Sequence, residues 1–82
     1  MDENQILTVI TSIINDDLGL NANINPEQSL LATKILDSMD WISFLTIVEE
    51  KFKITIPQEE AAQYQIGIVK NLLRYLKERT SD

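Results

Sequence analysis

The 82-residue chain is 44% apolar and 24% charged, with a net charge of −6 and neither cysteine nor histidine. That length suits a single domain, residues 1–82, and the composition is that of a folded protein, not a disordered one. The two absent residue types exclude disulfides, thiolate and imidazole metal sites, and the usual thiol nucleophile and general base; neither a catalytic residue nor a metal site is expected.

Residues 1–50 carry nine acids and one base, Lys34, while residues 51–82 carry four acids and six bases. Phosphate backbones would be repelled by the first part, so no nucleic-acid partner is expected; a basic protein partner fits better. No apolar run is long enough for membrane insertion, and "MDENQ" lacks the basic and apolar regions of a signal peptide. A cytoplasmic monomer is expected.

In chain order, Ile6, Val9, Ile10, Ile13 and Ile14 recur at helical spacing and predict a first helix over 3–17, stopped at Gly19. An Asn-rich loop, "GLNANINPEQSLLATKIL", follows; its eighteen residues exceed most connections in compact domains. Leu30, Leu31 and Leu36 are expected to pin it to the core. A second helix is predicted from Ser38 to Lys51. In "FKITIP", Phe52, Ile54 and Ile56 should point one way, without a partner strand to make a sheet. Pro57 can open a short third helix in "PQEEAAQY". Val69, Leu72, Leu73 and Leu76 line one face of a fourth helix, from Ile68 to Glu78, with Arg74, Lys77 and Arg79 near its negative end. The expected fold is all-α: a small four-helix bundle of three longer helices and a short third, with a long loop between the first two.

The second helix is over-supplied with apolar residues. At about 100° per residue, Trp41, Phe44, Leu45, Val48 and Phe52 form one stripe, enough to seat the helix. Met39 and Ile42 fall outside it, near Ser43, Thr46 and Glu50. They are either scattered surface residues or a docking face rimmed by Asp37, Asp40, Glu49 and Glu50. Ser38 likewise has two readings. Asp37 can cap the helix, leaving Ser38 a first-turn residue without a duty. Alternatively its hydroxyl, exposed and rigidly placed, is a target for another enzyme, since no base stands nearby to make it a nucleophile.

The segment "ILDSMDWISFLTIVEEKFKITIP" resembles the prosthetic-group segment of the acyl carrier protein family. Asp37, Ser38 and Met39 open the helix as in that family; Glu49, Glu50, Phe52, Ile54, Ile56 and Pro57 match the tail of the pattern, and "IGIVKNLLRYL" is similar to the family's fourth helix. The resemblance runs from about Ile6 to Leu76. It implies a protein without catalysis of its own. Ser38 would accept 4′-phosphopantetheine from coenzyme A through a magnesium-dependent phosphopantetheinyl transferase, with Asp37 important to that enzyme. The arm's thiol would hold acyl or aminoacyl groups as thioesters. The partners so implied are the transferase, an acyl- or aminoacyl-loading (adenylating) enzyme, and downstream synthase, condensing or tailoring enzymes. Met39, Ile42 and Thr46 would contact them, guided by Asp40, Glu49 and Glu50.

Three departures bear on the type of carrier. Ile35 stands where fatty-acid carriers usually have glycine, Trp41 where a residue is usually small or polar, and the piece from Pro57 to Val69 is about two residues longer. The Gly-Gly-His-Ser pattern of modular peptide-synthetase carriers is also absent. A discrete carrier in a specialised pathway is therefore expected, with a housekeeping fatty-acid carrier as the alternative. An unmodified helical adaptor, needing the apolar knobs but not Ser38, is the reading from another class. A calcium loop near Gly19 fails on ligand spacing.

Overall fold

Asp2 begins the first helix by reciprocal capping. Its Oδ1 accepts the Gln5 N–H at 2.8 Å, and Gln5 Oε1 accepts the Asp2 N–H at 2.9 Å. The computed structural model describes residues 2–21 and 23–80; Ala22, in the predicted loop, lies outside the described residues. Helix α1 spans Glu3–Ser12 and buries Ile6 and Ile10. The predicted span 3–17 is helical throughout, but Ile13–Asp17 winds as a π-turn, with the Leu18 N–H reaching the Ile13 carbonyl at 3.0 Å. A wider turn separates adjacent side chains by a smaller angle, so the consecutive Ile13 and Ile14 both face the core and are fully buried. Gly19 follows at φ +68°, the left-handed conformation that ends a helix at least cost to glycine.

The long loop is stitched down by its backbone. Lys70 donates its N–H to the Pro26 carbonyl at 2.8 Å, and Leu30 donates to Gly67 at 2.9 Å beside an isolated bridge between Ser29 and Ile68. Leu30 and Leu36 are buried as expected. Leu31 is not: it remains 39% exposed, because consecutive side chains on an irregular turn cannot all point inward.

Helix α2 spans Ser38–Phe52 and ends at Lys53, which adopts the left-handed conformation (φ 56°). That cap turns the chain, so Phe52 belongs to the helix and no strand forms among the described residues. Ile56 is buried, with Phe52 and Ile54 packed partly against the core. Helix α3, Gln58–Gln63, begins after Pro57 and contains no buried residue. Helix α4, Val69–Thr80, starts and ends slightly later than predicted and buries Val69, Leu72, Leu73, Tyr75 and Leu76. It packs along α1, and the two, with Ile13 and Ile14 of the π-turn, supply most of the buried core residues around Phe44 and Val48. The architecture is all-α with four α-helices among the described residues, as the patterning predicts.

Candidate functional site

Ser38 is the first residue of α2, and its position follows from the residue before it. Asp37 sits in extended backbone and its Oδ1 accepts the Asp40 N–H at 2.7 Å, while its carbonyl accepts the Trp41 N–H at 2.8 Å. One residue thus closes two bonds at the helix start, leaving the N–H groups of Ser38 and Met39 facing outward. Ser38 is exposed, and no described residue hydrogen-bonds its hydroxyl. A phosphoryl group esterified there would sit at the positive end of the α2 dipole with no side chain to displace. The site fits a phosphate-linked prosthetic arm. Among the described residues no base hydrogen-bonds the oxygen to activate it as a nucleophile.

Downstream of Ser38, Met39 is 78% exposed and Ile42 66% exposed, both well clear of the core. Thr46 is exposed and its hydroxyl donates to the Ile42 carbonyl at 3.0 Å. At about 100° per residue, Met39, Ile42, Thr46, Glu49 and Glu50 line one side of α2, whereas Asp40 falls on the opposite flank from Ile42. Glu50 is exposed, but Glu49 has structural work: its Oε2 accepts the Ile56 N–H at 2.7 Å and ties the chain after the Lys53 turn back to the helix. Sequence spacing predicted a uniform acidic rim; the structure divides it.

The predicted core stripe also divides. Phe44 and Val48 are fully buried, while Trp41, Leu45 and Phe52 are only half-buried. The Trp41 indole stacks on Phe44, ring centroids 5.7 Å apart, and separates two clefts against α3. One, of about 290 Å³, lies between Trp41 and Leu31; the other, of about 340 Å³, is lined by Ile42, Leu45, Thr46 and Glu49. Gln58 and Ala61 of α3 border both.

Behind α3 lies a polar group that patterning missed. Tyr75, buried on α4, donates its hydroxyl to Glu60 Oε1 at 2.7 Å; Arg79 Nη2 donates to the same oxygen at 2.5 Å, and its guanidinium stands 4.8 Å from the Tyr75 ring centroid. The Tyr75 hydrogen bond and the Arg79 charge hold the Glu60 carboxyl below its usual range. Burial, then the Glu60 hydrogen bond, push the Tyr75 phenol up. Tyr75 stands three residues after Leu72, on the buried face of α4; its spacing alone was the available signal.

Residues 8–76 match a family described as the phosphopantetheine attachment site. The chain is 34% identical over 79 residues to an acyl carrier protein of Rubrobacter xylanophilus, covering 95% of each chain. It is 32% identical over 69 residues to one of Helicobacter hepaticus, covering 83% of this chain and 88% of that one. It is also 32% identical over 74 residues to one of Clostridium acetobutylicum, covering 89% and 94%. No solved structure matches the chain at comparable significance. A family match across most of the chain, on a helical fold in which Ser38 stands free at the head of α2, leads to one conclusion: the chain belongs to the acyl carrier protein family, and is a carrier of covalently attached 4′-phosphopantetheine, not an enzyme.

Proposed function

We propose that Ser38 is the attachment residue and that the protein carries acyl or aminoacyl intermediates as thioesters on the arm. The supporting observation is the exposed, unbonded Ser38 hydroxyl, fixed at the helix start by the Asp37 cap. The arm, when present, supplies the thiol that the chain lacks. A phosphopantetheinyl transferase would read Asp37 and the first turn. A loading enzyme and downstream synthase, condensing or tailoring enzymes would meet Met39, Ile42 and Thr46 with an apolar patch of their own. Asp40 and Glu50 would orient them from one flank of that patch, and Glu49 from the other, beside the second cleft.

The test is incubation with coenzyme A, magnesium and an active transferase. One phosphopantetheine should be gained on Ser38, and Ser38→Ala should gain none while melting like the wild type, because the cap belongs to Asp37. Attachment at Ser12, Ser29 or Ser43 would refute the assignment of Ser38. No mass gain at all would favour an unmodified adaptor.

Within the family, Trp41 favours a specialised carrier over a housekeeping fatty-acid carrier. A half-buried indole between the two clefts fills space that a long chain would need, and a polar or short cargo loses nothing by staying in water. Amide chemical shifts of the carrier loaded with short and long acyl chains test this. Shifts across α2 and α3 that grow with chain length would overturn it.

A further inference from the structure

Helix α3 has six residues, none buried, and no side chain caps its start. A helix this short does not hold itself together; most helical stability comes from packing an apolar face. Its flanks are fixed, since Ile56 and Ile66 both lie in the core. Between them few side chains grip α3; at its end the Tyr64 ring stands 5.5 Å from the Tyr75 ring of α4, and two further contacts lie along it. Ala61 rests near Trp41 of α2, and Glu60 meets the Tyr75 hydroxyl and the Arg79 guanidinium of α4. The first contact involves one methyl group. The second comprises a charge-assisted hydrogen bond, an ion pair to the same oxygen, and a guanidinium held over the phenol ring.

We infer that the Tyr75–Glu60–Arg79 knot is a latch holding α3 against the bundle, and that its release lets α3 lift from Trp41 while the rest of the fold stays intact. The other helices do not depend on α3: α1 and α4 pack on each other, and Phe44 and Val48 seat α2 on the same core. Because Gln58 and Ala61 wall both clefts beside Trp41, the latch governs whether those clefts are narrow or open. Glu60 and Tyr75 are thus positioning residues acting on α3 from a side about 100° round the helix from Ala61. The inference is independent of what Ser38 carries.

Amide hydrogen exchange and acrylamide quenching of Trp41, the sole tryptophan, distinguish a local latch from general support. Tyr75→Phe keeps the buried ring and removes the donor; Arg79→Gln alters only a surface side chain. In each, the amides of Ala61, Tyr64 and Ile66, bonded to Pro57, Glu60 and Ala61, should exchange about tenfold faster. Trp41 should be quenched more readily, and the core amides of α1 and α4 should change less than about twofold. Glu60→Gln, which keeps an acceptor for the phenol, should fall between wild type and Tyr75→Phe. Unchanged α3 exchange in all three variants would overturn the latch, and so would equal acceleration in every helix.

Discussion

Helices α2 and α4 are of similar length and opposite design. Of the twelve residues of α4, five are buried, and the remainder are mostly charged or polar. Of the fifteen residues of α2, only Phe44 and Val48 are buried, yet Met39, Trp41, Ile42, Leu45 and Ile47 are all large and apolar. An element whose only task is to hold a fold together has no use for apolar surface left in water, which promotes association. On α4, sequence and burial agree; on α2, Met39 follows Ser38, Trp41, Ile42 and Leu45 line the clefts against α3, and Ile47 packs partly against the core. The difference separates a helix whose apolar residues are spent on the core from one that keeps several of them at the surface.

The comparison breaks first if the core does not depend on the two buried α2 residues. Phe44→Ala should cost about 3–5 kcal/mol in chemical denaturation, enough to unfold much of a domain this small. Trp41→Ala should cost less, about 2 kcal/mol, because the half-buried indole can be partly replaced by water. Leu45→Asp, which a fully buried stripe would make severe, should also stay well below Phe44→Ala. Equal losses for Phe44→Ala and Trp41→Ala would mean that α2 is a core helix along its whole apolar arc.

A smaller effect should appear with pH. Glu60 is held below the usual carboxylate range by Tyr75 and Arg79, so its folded pKa lies below its unfolded one. Its contribution is then present above the unfolded carboxylate pKa and lost as pH falls through the folded value. The Tm difference between wild type and Glu60→Gln should therefore be constant near neutrality and vanish in acid, as read by thermal melts across that range. A difference that persisted in acid would mean that the Glu60 charge is not what grips α4.

The smallest effect on stability should come from the residues most exposed. Met39→Asp and Ile42→Asp should each shift stability by no more than about 0.5 kcal/mol, while slowing transfer to and from partner enzymes. If either melts like Phe44→Ala, the division of α2 into a core side and a docking side is wrong.

Periodicity made the four helices legible, because each long helix repeats its apolar residues at the spacing its burial requires. Asp37 was legible as a cap because an extended Asp before an apolar-periodic run has a local job. What periodicity could not supply was depth. Trp41, Leu45 and Phe52 lie at the right angles for burial, but α3 is too small to cover Trp41 and Leu45, and nothing local to α2 encodes the size of its neighbour. Glu49 and Glu60 were hidden for the same reason. One reads as a rim charge and the other as a first-turn acid until Ile56 and Tyr75 are brought to them from seven and fifteen residues away.

The π-turn at Ile13–Asp17 has a consequence for the tolerance of α1 to changes in length. A π-turn holds one residue more than the α-turn it replaces, because its bonds skip one further position along the chain. Loss of a single residue there could be absorbed by rewinding to α pitch, leaving Ile6 and Ile10 in place upstream and Gly19 near its present position downstream. The same loss at Thr8 has no such reserve. It would rotate everything before it by about 100° relative to the core and carry Ile6 toward solvent. The wide turn is therefore slack in an otherwise taut helix, and single-residue deletions scanned along α1 should be tolerated there and nowhere else.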